Sequence, residues 1–168
     1  MLVFDATPLI YLAKVKKLHL LGNIDRKKVI PRAVFEEVVT KGKEYGKVDA
    51  LMVERLVEQG VFQVVEVEET DFYKKLTGNE RLSKADVEVL ALAKDREGIA
   101  VIDEDYARKV ANVEGIKCGG TIYLIFLLLK EGVITKREAR EITDGIIEKG
   151  WFCSTDLYVK ILTRLEEL

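Results

Sequence analysis

Short apolar runs alternate with amphipathic stretches along the chain. Five of these runs are predicted to be strands, at residues 2–4, 29–30, 61–65, 99–102 and 116–118. The run at 99–102 contains no polar residue, which is typical of a strand buried on both faces of a parallel sheet. The first strand is followed at once by an acid, Asp5, and the fourth by another, Asp103.

Helical periodicity and capping residues predict helices between the strands. Thr7 followed by Pro8 predicts an N-cap and a first turn, so the first helix is expected to run from there to about Lys17. A capping box formed by Ser83 and Asp86 is expected to begin another helix, over 83–96. The other predicted helices cover 31–40, 47–59, 104–113, 121 onwards, 136–148 and a last segment ending at 168, with a polar break at 42–46. This order predicts an α/β fold, a three-layer α/β/α sandwich with a mainly parallel central sheet.

After Gly132 the alternation of strands and helices ends, and only helical segments follow. We expect residues 1–132 to form one domain and residues 133–168 to pack on it as a helical C-terminal extension, which is too short to be a separate domain. Trp151, Phe152 and Tyr158 of this extension are predicted to pack against the core rather than to stack on nucleic-acid bases.

The composition is that of a globular protein, with 48% apolar and 33% charged residues among 168. The longest apolar run, 122–129, is eight residues long, well short of the roughly 20 that a membrane helix needs. The N-terminus has no basic stretch before its first acid, so we expect a cytoplasmic protein without a signal peptide. Abundant Lys and Glu with scarce Gln and Asn is a pattern of hyperthermophile proteins, which hints at a thermophilic source.

Several kinds of active site are excluded by the residue types present. His19 is the only histidine, and Cys118 and Cys153 do not have a zinc-binding spacing. Neither a nucleophilic serine elbow nor a glycine-rich phosphate loop occurs. Carboxylates are the remaining reactive groups, so an enzyme of this composition is expected to use Asp and Glu with a hard cation.

The carboxylates are placed where such a cation site can form. Asp5 and Asp103 follow apolar strands, and ligands of an open parallel sheet bind beyond the carboxyl ends of its strands. Asp86 lies in the first turn of its helix, and Glu37 lies further along another. Oxygen ligands without histidine or cysteine favour Mg²⁺ or Mn²⁺. Each acid also has a purely structural explanation, since Asp86 completes a capping box and Asp103 can cap the helix that follows it.

The charges are unevenly distributed along the chain. Residues 1–50 contain ten Lys and Arg against six Asp and Glu, although the whole chain has a net charge of −2. Two interpretations remain open for this basic stretch: a solvated face, or a rim that contacts phosphates.

Four segments resemble the motifs of the PIN-domain family, in the family's order and spacing. The segments and their acids are 3–10 with Asp5, 30–38 with Glu37, 82–93 with Asp86, and 101–108 with Asp103 and Asp105. Many relatives have Thr-x-Asp in the fourth motif, so Asp105 matches their acid by position, whereas Asp103 lies directly at the strand end; both remain candidates. The resemblance covers roughly residues 2–130, and Gly119-Gly120-Thr121 with the aromatic-containing tail resembles a prokaryotic, VapC-like branch of the family.

The resemblance implies a metal-dependent endoribonuclease that cleaves single-stranded RNA, often the toxin of a toxin–antitoxin pair. The candidate catalytic residues are Asp5, Glu37, Asp86, Asp103 and Asp105. The candidate ligands for Mg²⁺ or Mn²⁺ are Asp5, Asp86, Asp103 and Asp105, with Asp5 and Asp103 as the primary ones. The alternative is a non-catalytic PIN-like module that binds RNA or a partner protein.

The expected partners are an RNA substrate, a small antitoxin protein and a second copy of the chain. The homodimer is predicted because the helix containing 123–129 is more apolar than contact with one sheet face requires, and because PIN proteins commonly pair. The alternative is that this helix is simply central to the core.

Overall fold

The computed structural model describes residues 1–168 and contains a five-stranded parallel sheet flanked by helices. The strands are β1 (Leu2–Phe4), β2 (Lys28–Pro31), β3 (Gln63–Val65), β4 (Ile99–Val101) and β5 (Lys117–Gly119). The helices are α1 (Ala6–Lys14), α2 (Arg32–Phe35), α3 (Lys41–Glu44), α4 (Val48–Glu58), α5 (Asp71–Thr77), α6 (Lys84–Asp95), α7 (Asp105–Val113), α8 (Thr121–Lys130), α9 (Lys136–Glu148) and α10 (Thr155–Glu167). The predicted fold class is confirmed.

The strand order is β3-β2-β1-β4-β5, which places β1 in the middle of the sheet. Val3 pairs with Val29 of β2 on one side and with Ala100 of β4 on the other. Successive strands are added on one side of β1 up to β3, and then on the other side from β4 onward. In open parallel sheets such a switch in direction leaves a crevice at the carboxyl ends of the two strands concerned. Here those strands are β1 and β4.

The start of α1 differs from the prediction. Asp5, not Thr7, occupies the N-cap position, with extended backbone angles (φ −86°, ψ 171°), and Ala6 is the first helical residue. The amide of Asp5 donates to the carbonyl oxygen of Val101 at 3.0 Å, so Asp5 still takes part in the pairing of β1 with β4. The sheet hydrogen bond fixes where the strand ends, and the helix begins immediately after it.

The predicted break at 42–46 is also wrong in its first part. The chain remains helical from Arg32 to Glu44, with one π-helical stretch at Glu36–Thr40 between α2 and α3. A Cβ atom at Gly42 would lie 2.8 Å from the Cβ of Ala50, so this glycine allows α3 to pack closely on α4. Two elements were not predicted at all: α5 and a short 3₁₀ helix at Leu18–Asn23.

One hydrophobic core extends through the sheet and into the C-terminal helices. Ile142 and Ile146 of α9 and Ile161 of α10 are buried in it. Residues Leu124 and Leu128 of α8 are fully buried by this same chain, so α8 is central to the core, and its apolar content no longer argues for a dimer. No helix is long and apolar enough to cross a membrane.

Candidate functional site

Asp5 is a buried carboxyl group at the end of the central strand, with only 7% of its surface exposed. Burial raises the pKa of Asp5 to about 7, partly opposed by the backbone amide of Ala6. The negative charges of Asp86, Glu37 and Asp103 raise this pKa further. The structure therefore brings four of the acids predicted from the sequence within electrostatic reach of one another.

No cation of the chain neutralises this cluster. The ion pairs of the structure all involve other carboxylates, and none includes Asp5, Glu37, Asp86 or Asp103. Unpaired negative charge next to a buried carboxyl group is unfavourable. The arrangement favours binding of a positively charged ligand from outside the chain.

Asp86 has both of the roles that the sequence suggested. Its Oδ2 accepts a hydrogen bond from the amide of Ser83 at 2.9 Å, and the Ser83 hydroxyl accepts one from the amide of Asp86 at 3.1 Å. This confirms the predicted capping box at the start of α6. The same buried carboxylate raises the pKa of Asp5, so capping and proximity to the cluster are compatible.

Asp103 is held by donors from two distant parts of the chain. Its Oδ1 accepts from the amide of Thr121 at 2.7 Å, and its Oδ2 accepts from the Thr121 hydroxyl at 2.6 Å and from the indole Nε1 of Trp151 at 3.2 Å. A Cβ atom at Gly120 would overlap Oδ1, so only glycine permits this close approach. Asp103 does not cap α7; the carboxylate of Glu104 does, by accepting from the amides at 106 and 107.

Glu37 and Asp105 are both exposed, but they differ in their relation to the cluster. Glu37 lies in the π-helical stretch and contributes to the raised pKa of Asp5. Asp105 is the first residue of α7 and is not among the acids that raise this pKa. Of the two candidates in the fourth motif, Asp103 is therefore the one that the fold brings towards Asp5.

The hydrogen bonds of two side chains were not predicted from the sequence. Glu88 is buried in α6, and its Oε2 accepts from the amide of Ala33 at 2.7 Å, which ties α6 to the start of α2. An acid between Val87 and Val89, in an otherwise apolar helix, was a signal that could have identified it. Trp151 was predicted only to pack, and its hydrogen bond to Asp103 has no local sequence signal.

The other aromatic residues of the C-terminal segment also differ from the prediction. Phe152 is 87% exposed, so the expectation that it packs against the core is wrong. Tyr158 is half-buried, and its hydroxyl donates to Oδ1 of Asp144 at 2.6 Å.

The donor set suits a hard divalent cation, because it consists of carboxylate oxygens only and lacks a counter-charge. As placed, however, no three Asp, Glu, His or Cys side chains come close enough together to enclose a metal ion. The cluster thus has the ligand atoms that a divalent cation prefers, but its side chains lie too far apart to surround one ion.

A groove of about 370 Å³ adjoins the cluster through Glu37. Its other lining residues are lysines, one tyrosine, one acid and small or apolar side chains: Ile10, Lys14, Val38, Lys41, Gly42, Tyr45, Lys47, Asp49 and Ala50. The three lysines form no ion pair. Tyr45 is 77% exposed, which leaves its ring free to contact a ligand.

A family model described as PIN domain matches residues 1–167, which is nearly the whole chain and includes the C-terminal helices. No curated protein matches the sequence.

Proposed function

Because the chain belongs to the PIN-domain family, whose members are commonly metal-dependent nucleases, we propose that it is a metal-dependent endoribonuclease acting on single-stranded RNA. The observation that carries the proposal is Asp5, a buried carboxyl group with a pKa of about 7, surrounded by three further acids and by no cation. Such a group is unfavourable for folding of the metal-free chain, and it is typical of a site that works with a bound cation.

Asp5 and Asp103 would be the primary ligands of Mg²⁺ or Mn²⁺, with Asp86 beside them and Glu37 at the open side. A bound divalent cation supplies positive charge for the reacting phosphate and lowers the pKa of a water molecule. The role of the chain is to orient the acids: Ser83 holds Asp86, and Thr121 holds Asp103. Asp105 remains a candidate ligand from the family motif.

The groove beside Glu37 supports RNA as the substrate. Lys14, Lys41 and Lys47 offer unpaired positive charge to the phosphate backbone, and the exposed ring of Tyr45 offers a stacking surface for a base. Phosphate contacts position a strand without selecting its sequence. A single strand in this groove would pass Glu37 on its way to the acid cluster.

A cleavage assay tests the activity. The purified protein is expected to cut single-stranded RNA with Mg²⁺ or Mn²⁺ and to stop in EDTA. Asp5→Asn and Asp103→Asn should abolish cleavage, whereas Asp156→Asn, at an exposed acid of α10, should not. Cleavage that survives chelation or persists in Asp5→Asn would contradict the proposal. Asp105→Asn decides whether the second acid of the fourth motif takes part.

A binding assay in EDTA tests the groove without cleavage. Replacing Lys41 and Lys47 by Ala should flatten the dependence of log K on log salt by roughly 1.4, because each phosphate of a single strand that a lysine neutralises adds about 0.7 to that slope. Tyr45→Ala should weaken binding at all salt concentrations, by about 1–3 kcal/mol for one stacked base. Replacing Lys149 and Lys160, exposed lysines of the C-terminal segment, is the matched control. Equal slopes for both double variants would exclude the groove as the RNA path.

The second candidate is a non-catalytic PIN-like module that binds RNA or a partner protein. It is favoured by the open arrangement of the acids, none of which form a group of three around a cation position. RNA binding that is unchanged by EDTA, together with no cleavage in either metal, would establish this alternative.

We further propose a cytoplasmic toxin role with a small antitoxin partner, and assembly as a homodimer. Both rest on family membership, because PIN-domain proteins are often the toxins of toxin–antitoxin pairs and commonly form dimers. A neighbouring gene for a small antitoxin-like protein would support the first. Sedimentation at micromolar concentration tests the second, and a species of 19.0 kDa would exclude the dimer.

A further inference from the structure

The C-terminal segment reaches the acid cluster through one turn after α9. The amide of Gly150 donates to the carbonyl oxygen of Ile147 at 3.0 Å, and the amide of Trp151 donates to that of Ile146 at 2.9 Å. Gly150 has φ +103°, a left-handed conformation that favours glycine, and this pair of bonds is the usual way in which such a glycine ends a helix. The turn fixes the backbone of Trp151 relative to α9.

The indole N–H of Trp151 donates one hydrogen bond, and its acceptor belongs to the acid cluster. Its Nε1 donates to Oδ2 of Asp103 at 3.2 Å, across 48 positions of sequence. With the two bonds from Thr121, three donors hold this carboxylate. A carboxylate offers about four lone-pair sites, so one remains, and it belongs to Oδ1.

We propose that Trp151 is a positioning residue for Asp103, holding its carboxylate in the orientation in which it would bind a divalent cation. The proposal rests on the proposed function, since it takes Asp103 as a metal ligand. Groups that hydrogen-bond metal ligands fix the orientation of those ligands, and their loss typically weakens metal binding about 10- to 100-fold. Through Trp151 the C-terminal segment becomes part of the metal site.

Packing alone does not account for the contact. Trp151 is half-buried against the hydrophobic core, and an apolar ring of the same size would make the same packing contacts without an N–H group. The indole N–H gains a charged acceptor here, and it simultaneously limits how the Asp103 side chain can rotate. The two roles of Trp151, packing and donation, can be separated by experiment.

Calorimetric titration with Mn²⁺ gives a readout that is independent of cleavage. Two variants of the full chain remove the indole N–H donor. One is Trp151→Phe, and in the other the single tryptophan is replaced by benzothienylalanine, which keeps the shape of the ring. Each should bind Mn²⁺ at least about 10-fold more weakly than the wild type, with the melting temperature of the benzothienylalanine protein in EDTA nearly unchanged. Phe152→Leu, at the exposed neighbour, is the matched control and should bind as the wild type does.

The outcomes separate this proposal from the proposed function. If the wild type binds Mn²⁺ in a manner that requires Asp5 and Asp103, while the benzothienylalanine protein binds equally well, the positioning role is overturned and the metal site stands. If the wild type binds no Mn²⁺ at all, the proposed function fails first and this proposal fails with it.

Tryptophan fluorescence supplies a second signature. Because Trp151 is the only tryptophan, a saturable change of emission on adding Mg²⁺ is expected in the wild type and should be absent in Asp103→Asn. If the emission does not change with Mg²⁺ under conditions where calorimetry shows binding, the proposal is overturned.

Discussion

The carboxyl group of Asp5 passes from water into a buried site when the chain folds. Its pKa rises from 3.8 to about 7 on burial among other acids. A carboxyl group with a higher pKa in the folded chain binds more protons when folded, so the free energy of unfolding falls as pH rises between these two values. The metal-free protein is therefore expected to be stabilised by mild acid rather than weakened by it.

Unfolding by denaturant at a series of pH values measures this effect. Between pH 4 and pH 7 Asp5 alone should lower the free energy of unfolding by about 3 kcal/mol. Asp5→Asn keeps the shape and removes the charge, so its stability should exceed that of the wild type at pH 7 and the two should converge near pH 4. Asp156→Asn should follow the wild type throughout. A wild type and an Asp5→Asn variant with parallel pH profiles would show that Asp5 is not buried as an acid.

Gly120 is the second residue whose substitution has a defined consequence. Its backbone (φ −117°, ψ −159°) suits any residue, so the cost of Gly120→Ala arises from the new methyl, which would overlap Oδ1 of Asp103 and lie 3.3 Å from the carbonyl oxygen of Ile102. We expect Gly120→Ala to lower the free energy of unfolding by roughly 1–3 kcal/mol and to weaken Mn²⁺ binding, because Asp103 must move. In Gly78→Ala the new methyl meets nothing nearer than 3.4 Å, so calorimetry and melting should both give wild-type values.

At the scale of elements, α6 and α9 provide a matched pair. Both begin with a complete capping box, formed by Ser83 with Asp86 and by Thr135 with Glu138, but only the first contains an acid of the cluster. Ser83→Ala and Thr135→Ala should each cost about 1 kcal/mol of stability. Only Ser83→Ala should also weaken Mn²⁺ binding, since it releases Asp86. Equal metal affinity in the two variants would mean that Asp86 acts only as a cap.

The elements that were predictable are those with local signals. The strands β1 and β4 and the capping box of α6 were apparent because apolar runs and cap residues lie within a few positions of each other. Gly42 was predicted to break the helix, but this glycine allows close packing on Ala50 of α4, and a contact with another helix has no local signal. Thr7 was misjudged because the hydrogen bond from Asp5 to β4, formed across the sheet, decides where α1 begins.

The same distinction applies to the candidate site. Asp5, Glu37, Asp86 and Asp103 were selected from motif positions, and the fold places them near one another. Trp151 was not selected, because its contact with Asp103 spans 48 positions and no pattern in either segment encodes it. Long-range contacts of this kind follow from the packing of α9 on the core, which the sequence pattern does not specify.

For the whole molecule, we predict that binding of a metal ion to the acid cluster raises the free energy of unfolding. A ligand that binds only the folded chain, at a hundredfold excess over its Kd, raises the free energy of unfolding by about 2.7 kcal/mol. Thermal melts should show this stabilisation for the wild type with Mg²⁺ or Mn²⁺, and much less of it for Asp5→Asn. If Asp5→Asn and the wild type gain equally, or if the variant melts clearly lower in EDTA, the acids do not form one site.

The central position of β1 determines when the molecule can become complete during its synthesis. Leu2 is translated before its partner Ile99, which follows almost a hundred residues later, roughly 5–20 s at ordinary rates of translation. Until then one edge of the central strand has no neighbour, and Asp5 stays apart from Asp103. Trp151 follows later still, so its hydrogen bond to Asp103 forms only after α9 has been made. The contact between Trp151 and Asp103 is therefore made later in synthesis than the pairing of β1 with β4.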